Sequence, residues 1–141
     1  MATTTAAITL TSTDIMDSPL SISNTSTLTT AGTDTGLVET TGLARKKFAT
    51  SGNTILLDHG LAGGIAQDVT ADKSAKVYIK NINDRGDGTK YVDILIKTRE
   101  IGRLYGGDWM FIPWSGGGGE DIEYTASDTT ETTLEYCVFY E

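Results

Sequence analysis

Alternation of apolar and polar residues predicts β-strands over the second half of the chain. Val77 and Ile79 repeat with a period of two, and Val92 and Ile94 continue that period beyond the loop at residues 83–89. Such alternation is typical of strands that bury one face. We therefore predict that residues 75–114 form the core, as two strands of a hairpin with a third strand behind them.

The aromatic stretch WMFIPW at residues 109–114 is apolar at every position. In a strand, Trp109 and Phe111 face one way and Ile112 and Trp114 the other, so both sides need apolar cover. One side fills the core. The other must be covered by an arm, a loop or a neighbouring subunit, because exposed aromatic patches mark interaction surfaces. Trp109 and Trp114 are therefore candidate interface residues.

Further strands are predicted on either side of this core. The apolar run NTILLD at residues 53–58 reads as a short buried strand, and DIEYT at residues 121–125 alternates again. The end of the chain carries an inward stripe of Leu134, Tyr136, Val138 and Tyr140. These elements predict an all-β fold, a jelly-roll-like β-sandwich of about eight strands over residues 43–141.

Residues 1–42 differ in composition and are predicted to be an extended amino-terminal arm. Threonine occupies 14 of the first 41 positions. Threonine suits strands, but side chains of this size bury little apolar area, at a return of roughly 25 cal/mol per Å². We expect the arm to need support from its own sheet, from a sister subunit or from a different protein.

The net charge of −8 argues against general nucleic-acid binding, and the charge is unevenly placed. Residues 45–103 carry all 11 basic residues and 7 acidic ones, whereas the segments before and after carry 4 and 8 acidic residues. Complementary patches set register in assemblies, so acidic ends of one copy can meet the basic middle of another. A solvated mixed surface on one domain is the alternative. Arg45, Lys46 and Lys47 form the densest basic run and are a candidate contact for an acidic partner.

Residues able to carry out chemistry are few. His59 is the only histidine and Cys137 the only cysteine, which are too few for a zinc site, and neither has an identifiable catalytic partner. Cys137 lies in an apolar alternating run, where a small buried residue is the usual outcome. We predict that the protein is not an enzyme and uses no cofactor and no metal.

The loop after residue 81 contains two short motifs, neither of which predicts a function. The adhesion tripeptide Arg-Gly-Asp occurs at residues 85–87, but glycine beside aspartate is ordinary turn chemistry. Against the twelve-residue calcium loop counted from Asn81, the last position is Val92, where a bidentate glutamate is required.

The run GRLYGGDWMFIPW at residues 102–114, followed by LEY at residues 134–136, resembles a pattern in small virion structural proteins of tailed bacteriophages. There, a strand, a glycine-containing turn, an aromatic strand ending in proline and a closing strand complete a β-sandwich. The resemblance covers residues 75–141, and the arm matches only in character. It implies a homo-oligomer, with a trimer favoured, on a viral lattice. It transfers no functional residue.

We therefore expect a phage capsid decoration or cement protein that contacts the major capsid protein or other virion proteins. After Met1 the chain has no basic start and no apolar run near the ~20 residues that span a bilayer, so we expect no membrane association. The expected location is the virion, after synthesis in the host cytoplasm.

In this hypothesis the arm pairs with strand edges of neighbouring subunits, and the basic run at residues 45–47 anchors its root. Two alternatives remain. A tail, neck or fibre component would use the same fold. A carbohydrate-binding module would stack sugars on Trp114, Trp109 or Tyr105.

Overall fold

The computed structural model describes residues 4–13, 19–29, 36–37, 39–48, 52–58, 75–86, 88–115, 120–127 and 132–140. Within these ranges the chain forms strands and no helix, in keeping with its β-branched and aromatic residues. The strands are β1 (Thr5–Ser12), β2 (Leu20–Thr27), β3 (Glu39–Thr40), β4 (Ala44–Phe48), β5 (Thr54–Leu57), β6 (Ala75–Asn81), β7 (Tyr91–Ile96), β8 (Arg99–Tyr105), β9 (Trp109–Trp114), β10 (Ile122–Ala126) and β11 (Thr132–Tyr140).

Strands β4 to β11 form two antiparallel layers. The first sheet has the order β4-β11-β6-β9, and β3 also pairs with β11 on the same side as β4. The second sheet has the order β5-β10-β7-β8. This strand order is that of a jelly roll. Successive strands pass from one sheet to the other, except β7 and β8, which are neighbours in the second sheet. The predicted β-sandwich of about eight strands is confirmed.

The core lies between the two sheets and is formed by the inward residues of each strand. Val77 and Ile79 of the first sheet and Val92 and Ile94 of the second are completely buried. Each fully buried side chain of this size contributes about 1.5–3 kcal/mol relative to exposure. The buried cluster is completed by Leu56, Leu57, Leu104, Trp114, Ile122, Tyr124, Leu134, Tyr136, Val138 and Tyr140.

The prediction that the strands on either side of residues 83–89 form a hairpin is wrong. β6 pairs with β11 and β9, whereas β7 pairs with β10 and β8, so the loop at residues 82–90 crosses between the sheets. Each strand buries one apolar face. The two strands therefore pack face to face across the sandwich, about 10 Å apart, instead of pairing edge to edge.

The tight hairpin joins β7 to β8. Ile96 pairs with Arg99, and the turn consists of Lys97 and Thr98, with φ values of 50° and 66°. A two-residue turn with positive φ at both positions matches the twist of the flanking strands. A β-branched residue such as Thr98 adopts this left-handed conformation at a cost of about 1–2 kcal/mol.

Asn81 is a fully buried polar residue that ties the end of β6 to the turn between β8 and β9. Its Nδ2 donates to the carbonyl oxygen of Leu104 at 3.0 Å, and its Oδ1 accepts from the backbone N and Nδ2 of Asn83 at 3.1 and 2.6 Å. The N–H of Gly107 donates to the carbonyl oxygen of Asn81 at 2.8 Å. These hydrogen bonds fix the turn that leads into β9 and so position Trp109.

Strands β1 and β2 form a separate two-stranded antiparallel sheet, here called the N-terminal ribbon. Its register runs from Thr5 opposite Thr27 to Ser12 opposite Leu20. The arm predicted for residues 1–42 thus contains a pair of antiparallel strands. Each ribbon strand keeps one edge that pairs with no other described strand.

The two faces of the ribbon differ in polarity. One face carries only threonine, serine and alanine, and the other carries an apolar stripe of Ile8, Leu10, Leu20 and Ile22. Leu10 and Ile22 lie directly opposite each other and are 53% and 49% exposed. An isolated two-stranded hairpin is marginally stable in water, and residues that are half exposed add little burial to stabilise the ribbon.

Main-chain hydrogen bonds link described residues that lie between the ribbon and the sandwich. The N–H of Leu37 donates to the carbonyl oxygen of Leu28 at 2.9 Å, and the N–H of Leu28 donates to that of Thr4 at 2.8 Å. Both leucines are buried. β3 then pairs with β11, with Thr40 opposite Phe139. The first sheet therefore includes residues of the predicted arm.

Gly106 is a position where no side chain fits. A Cβ there would overlap the backbone oxygen of Asp84. We expect Gly106→Ala to lower the free energy of unfolding by about 2–3 kcal/mol, because backbone atoms must move to relieve the overlap. Gly88→Ala is the matched control, since nothing lies within 4 Å of a Cβ at Gly88. Urea unfolding measures both, and equal losses would contradict the close approach.

Candidate interaction surface

The outer face of the first sheet is assembled from residues far apart in sequence. Lys80 of β6 pairs with Glu135 of β11 on one side and with Trp109 of β9 on the other, and Glu135 pairs with Arg45 of β4. Directly opposite residues point to the same face of a sheet. Two of the predicted site residues, Arg45 and Trp109, therefore lie in one cross-strand row, about 14 Å apart at ~4.8 Å per strand.

Four aromatic side chains, Tyr78, Trp109, Phe111 and Phe139, lie on this outer face and are here called the aromatic face. The rings of Tyr78 and Trp109 have centroids 6.5 Å apart, and those of Phe111 and Phe139 are 6.3 Å apart in an edge-on arrangement. Trp109 is 51% exposed. The expectation that the outward side of residues 109–114 presents aromatic rings is met, and no described residue covers Trp109 fully.

Trp114 lies on the opposite side of β9 and belongs to the core. It is 3% exposed, and its Nε1 donates to the carbonyl oxygen of Glu120 at 2.6 Å. The strand alternation that turns Trp109 outward turns Trp114 inward. Trp114 thus presents no ring to a partner or a sugar on the surface of this chain, and Trp109 remains the exposed tryptophan candidate.

The predicted basic run of residues 45–47 lies on β4, at the edge of the first sheet. β3, the strand through which the arm joins the sheet, pairs with the same edge of β11. Arg45 donates from Nε to Oε2 of Glu135 at 2.8 Å, across the sheet. Lys46 and Lys47 are exposed on the same strand, and both make further contacts within the protein. The structure therefore places the run next to β3, where the arm joins the sheet.

The aromatic face carries an excess of positive charge. Lys76 and Lys80 alternate with Tyr78 along β6, while Glu135 is satisfied by Arg45. Burial, and after it the negative charge of Glu135, raises the pKa of Tyr78. The phenol therefore stays neutral, and the face presents rings flanked by two lysines.

Cys137 of β11 lies directly opposite Tyr78 of β6, on the same side of the sheet, and is a buried free cysteine. Its Sγ is 3.0 Å from Oγ1 of Thr40, which belongs to β3. The expected buried position of Cys137 is confirmed. The thiol therefore helps to hold β3 against β11, and the side chain is buried.

The outer face of the second sheet combines an ion pair with exposed apolar side chains. Arg103 forms hydrogen bonds to both carboxylate oxygens of Asp93, at 2.6 and 3.1 Å, and its guanidinium lies 3.8 Å from the ring centroid of Tyr91. Tyr105, the third aromatic candidate for sugar stacking, is 41% exposed and packs against Tyr91 at 5.7 Å. Ile55, which lies opposite Glu123 on this face, is 44% exposed.

Two motif residues considered in the sequence, His59 and Asp87, lie outside the described residues. Arg85 of the Arg-Gly-Asp tripeptide pairs with Asp108 at 2.5 Å. Among the described residues, no group of three or more histidines, cysteines or acidic residues could hold a metal ion. The described part of the chain also contains no helix long and apolar enough to cross a membrane.

Comparison with protein-family models, with curated proteins and with solved structures finds no significant match to this chain.

The two tryptophans are expected to respond differently to truncation. Trp114→Ala should lower the free energy of unfolding by about 3–5 kcal/mol, because it opens a cavity in the core. Trp109→Ala should change it by less than about 1 kcal/mol, because its ring lies outside the core. Urea unfolding of both variants tests the assignment. A large loss for Trp109→Ala would show that its ring supports the fold.

Stability is expected to fall at alkaline pH. Burial raises the pKa of Tyr136 above its ordinary value of 10.0, as it does for Tyr78. A pKa that is higher in the folded state contributes stability fully below the unfolded pKa and loses it as pH rises through the folded pKa. We therefore expect the free energy of unfolding to decline above about pH 10. Tyr136→Phe should reduce this decline, whereas Tyr105→Phe, at an exposed tyrosine, serves as the control. An unchanged decline in Tyr136→Phe would contradict the assignment.

Proposed function

We propose that this chain is a structural virion protein of a tailed bacteriophage, a capsid decoration or cement protein that assembles on the head. The N-terminal ribbon is the observation that carries the proposal. Its strands pair with each other, outside the two sheets of the jelly roll, and expose Leu10 and Ile22. A ribbon of this kind is suited to lying along another subunit, which supplies the cover that its own fold lacks.

The jelly roll supports the proposal as a rigid body. Its interior is closed by apolar side chains from both sheets, and its first sheet presents an aromatic face on the outside. Jelly rolls serve as capsid domains and as lectin domains, which is an analogy at the level of fold. The resemblance of residues 102–114 and 134–136 to phage virion proteins favours the first of these uses.

The proposed assembly mechanism follows from the N-terminal ribbon and the jelly roll. Each ribbon strand has an edge that pairs with no other described strand, and such an edge can exchange main-chain hydrogen bonds with a neighbour, which requires no large side chains. Copies tied to one another and to the lattice stabilise the head by mass action. Arg45, Lys46 and Lys47, beside β3, would hold the entry of the arm against acidic groups of a neighbour.

A carbohydrate-binding module is the second candidate, because one observation favours it. Tyr78 and Trp109 form an aromatic pair next to Lys80, in which the ring of Trp109 is half exposed, and exposed aromatic rings can stack on sugar rings. Trp114 does not take part in this version, since it is buried.

A tail, neck or fibre component would use the ribbon in the same way as a head protein and differs only in location.

The decisive experiment locates the protein in particles of the phage that encodes it. Purified particles are separated into heads and tails and probed with an antibody to this chain. We expect the protein on heads, and we expect heads stripped of it to take up the recombinant chain to saturation. Presence in tails alone would support the tail alternative, and absence from both would overturn the virion proposal.

A glycan array separates the carbohydrate alternative. The proposal predicts no saturable binding of the wild-type chain. If a glycan binds, and binding is lost in Trp109→Ala but retained in Tyr105→Ala, the aromatic face is a sugar platform. The Tyr105 variant is a matched control because it removes an exposed ring from the opposite sheet.

A further inference from the structure

We propose that copies of this chain stack through their sandwiches, with the outer face of the first sheet of one copy on the outer face of the second sheet of the next. The occupant of each face is a second copy of the chain, and the contact is head to tail because the two faces differ. The inference goes beyond the proposed function, since this contact requires neither the ribbon nor a phage head. Two pairs of charged side chains, positive on one face and negative on the other, carry it.

The outer face of the first sheet carries two lysines that form no ion pair with a described residue. Lys76 and Lys80 lie on either side of Tyr78 along β6, and all three side chains are partly exposed. The carboxylate of Glu135, on the same face, already pairs with Arg45 at 2.8 Å. The positive charges of the two lysines are therefore uncompensated by the described residues of this face.

The outer face of the second sheet carries two glutamates in one cross-strand row. Glu100 of β8 and Glu123 of β10 lie on either side of Leu95 of β7, and directly opposite residues share a face. Arg103, on the same face, is already in an ion pair. Glu100 forms no ion pair with a described residue, and Glu123 accepts a hydrogen bond from the neutral amide of Asn53 at 3.2 Å. Two negative charges are thus available to a basic partner.

The two pairs of charges have similar spacing. Lys76 and Lys80 are four residues apart on one strand, which is about 13 Å at ~3.3 Å per residue. Glu100 and Glu123 are two strands apart, which is about 10 Å at ~4.8 Å per strand. Orthogonal packing, in which the strands of two sheets cross at about 90°, lays β6 along the cross-strand row of the glutamates. Both ion pairs can then form, because the lysine side chains are long and flexible.

Exposed apolar side chains accompany the charges on both faces. Trp109, directly opposite Lys80, is 51% exposed, and Ile55, directly opposite Glu123, is 44% exposed. Each lies one strand away from a charged residue that pairs across the contact. Burial of apolar surface therefore adds to the attraction between the charges.

Charge disfavours the symmetric alternatives. Stacking two first sheets would bring Lys76 and Lys80 of both copies together, and stacking two second sheets would do the same with the glutamates. Like charges placed opposite each other across an interface act against that arrangement. Each copy also has a net charge of −8, so copies repel one another unless a basic patch meets an acidic one. The head-to-tail contact is the stacking that pairs opposite charges.

The size of the contact indicates weak association. A face of four strands, about 19 Å wide and about 20 Å long, covers roughly 400 Å² on each copy. Stable pairs bury about 1,200–2,000 Å² in total, so one such contact is weak. Each copy makes two of these contacts, one on each face, and contacts of this kind build rings or open stacks. We therefore expect association at high concentration.

The test measures the average mass of the full-length chain by sedimentation, at concentrations up to about 1 mM. We expect the wild-type mass to rise above the 15.0 kDa of one chain as concentration increases. Lys76→Glu combined with Lys80→Glu should weaken association by more than about tenfold, because like charges then meet. Glu100→Gln combined with Glu123→Gln should weaken it by about tenfold, because two ion pairs are lost while the shape of the side chains is kept.

A mixture of the two double variants tests whether the contact is head to tail. The lysine variant keeps both glutamates and the glutamate variant keeps both lysines, so one intact contact can form between them. We expect a pair with twice the mass of one chain that grows no further, because its two outer faces no longer match. No pairing in the mixture would overturn the proposal. So would undiminished association of either variant alone, which would indicate a symmetric contact or a contact through the ribbons.

Lys97→Glu combined with Arg99→Glu is the matched control. It changes the net charge as much as the lysine variant does, but it lies at the turn between β7 and β8, and it should leave association intact. Circular dichroism checks that each variant keeps its strands. Equal weakening by the control would show that net charge governs association, and it would contradict the contact between the two faces.

The outcomes separate this inference from the proposed function. A wild-type chain that is monomeric at every concentration yet binds stripped heads would overturn the contact between copies and leave the head protein in place. An assembly that passes the mixing test but is absent from phage heads and tails would do the reverse.

Discussion

The register of β11 against β6 is the constraint on which the rest of the structure depends. Tyr136 opposite Ile79 directs both side chains into the core, and the same register directs Glu135 and Lys80 to the outside. A shift of one residue would exchange the two faces of the strand. β11 also pairs with β3 and β4 along its other edge. The core, the aromatic face and the attachment of the arm are thus set by one strand.

Alternation along single strands was enough to predict the fold class, but not which strands pair. The glycines on either side of Asp87 favour a tight turn, yet that loop crosses between sheets, whereas the true two-residue hairpin turns at Lys97 and Thr98, which carry no turn signal. Pairing depends on which apolar faces meet across the sandwich. That information is distributed over strands distant in sequence, as in the contact of β6 with β11.

For the candidate surface, too, the sequence predicted the alternation along a strand but not the packing of the sheets. The period of two assigns Trp109 and Trp114 to opposite sides of β9, but it does not say which side is the core, and only the packed sheets show that Trp114 is buried. The ion pair of Arg45 with Glu135 joins residues 90 positions apart. Nothing local in either segment indicates it, because it follows from the pairing of β4 with β11.

The ribbon and the aromatic face differ in how far their own contacts offset the cost of ordering their backbone. Ordering the backbone costs about 1–2 kcal/mol per residue, while a cross-strand pair of small side chains returns about 0.2–1 kcal/mol. The ribbon has eight cross-strand pairs and no second layer among the described strands, so these pairs do not offset the ordering of two strands. The aromatic face has the opposite balance, since its backbone is already held by the sandwich and the ring of Trp109 is half exposed. A contact of the ribbon with any preordered surface of a partner adds apolar burial to the ribbon without ordering further backbone on the receiving side. Preorganisation of one partner is therefore what makes a weakly stable ribbon usable as a connector.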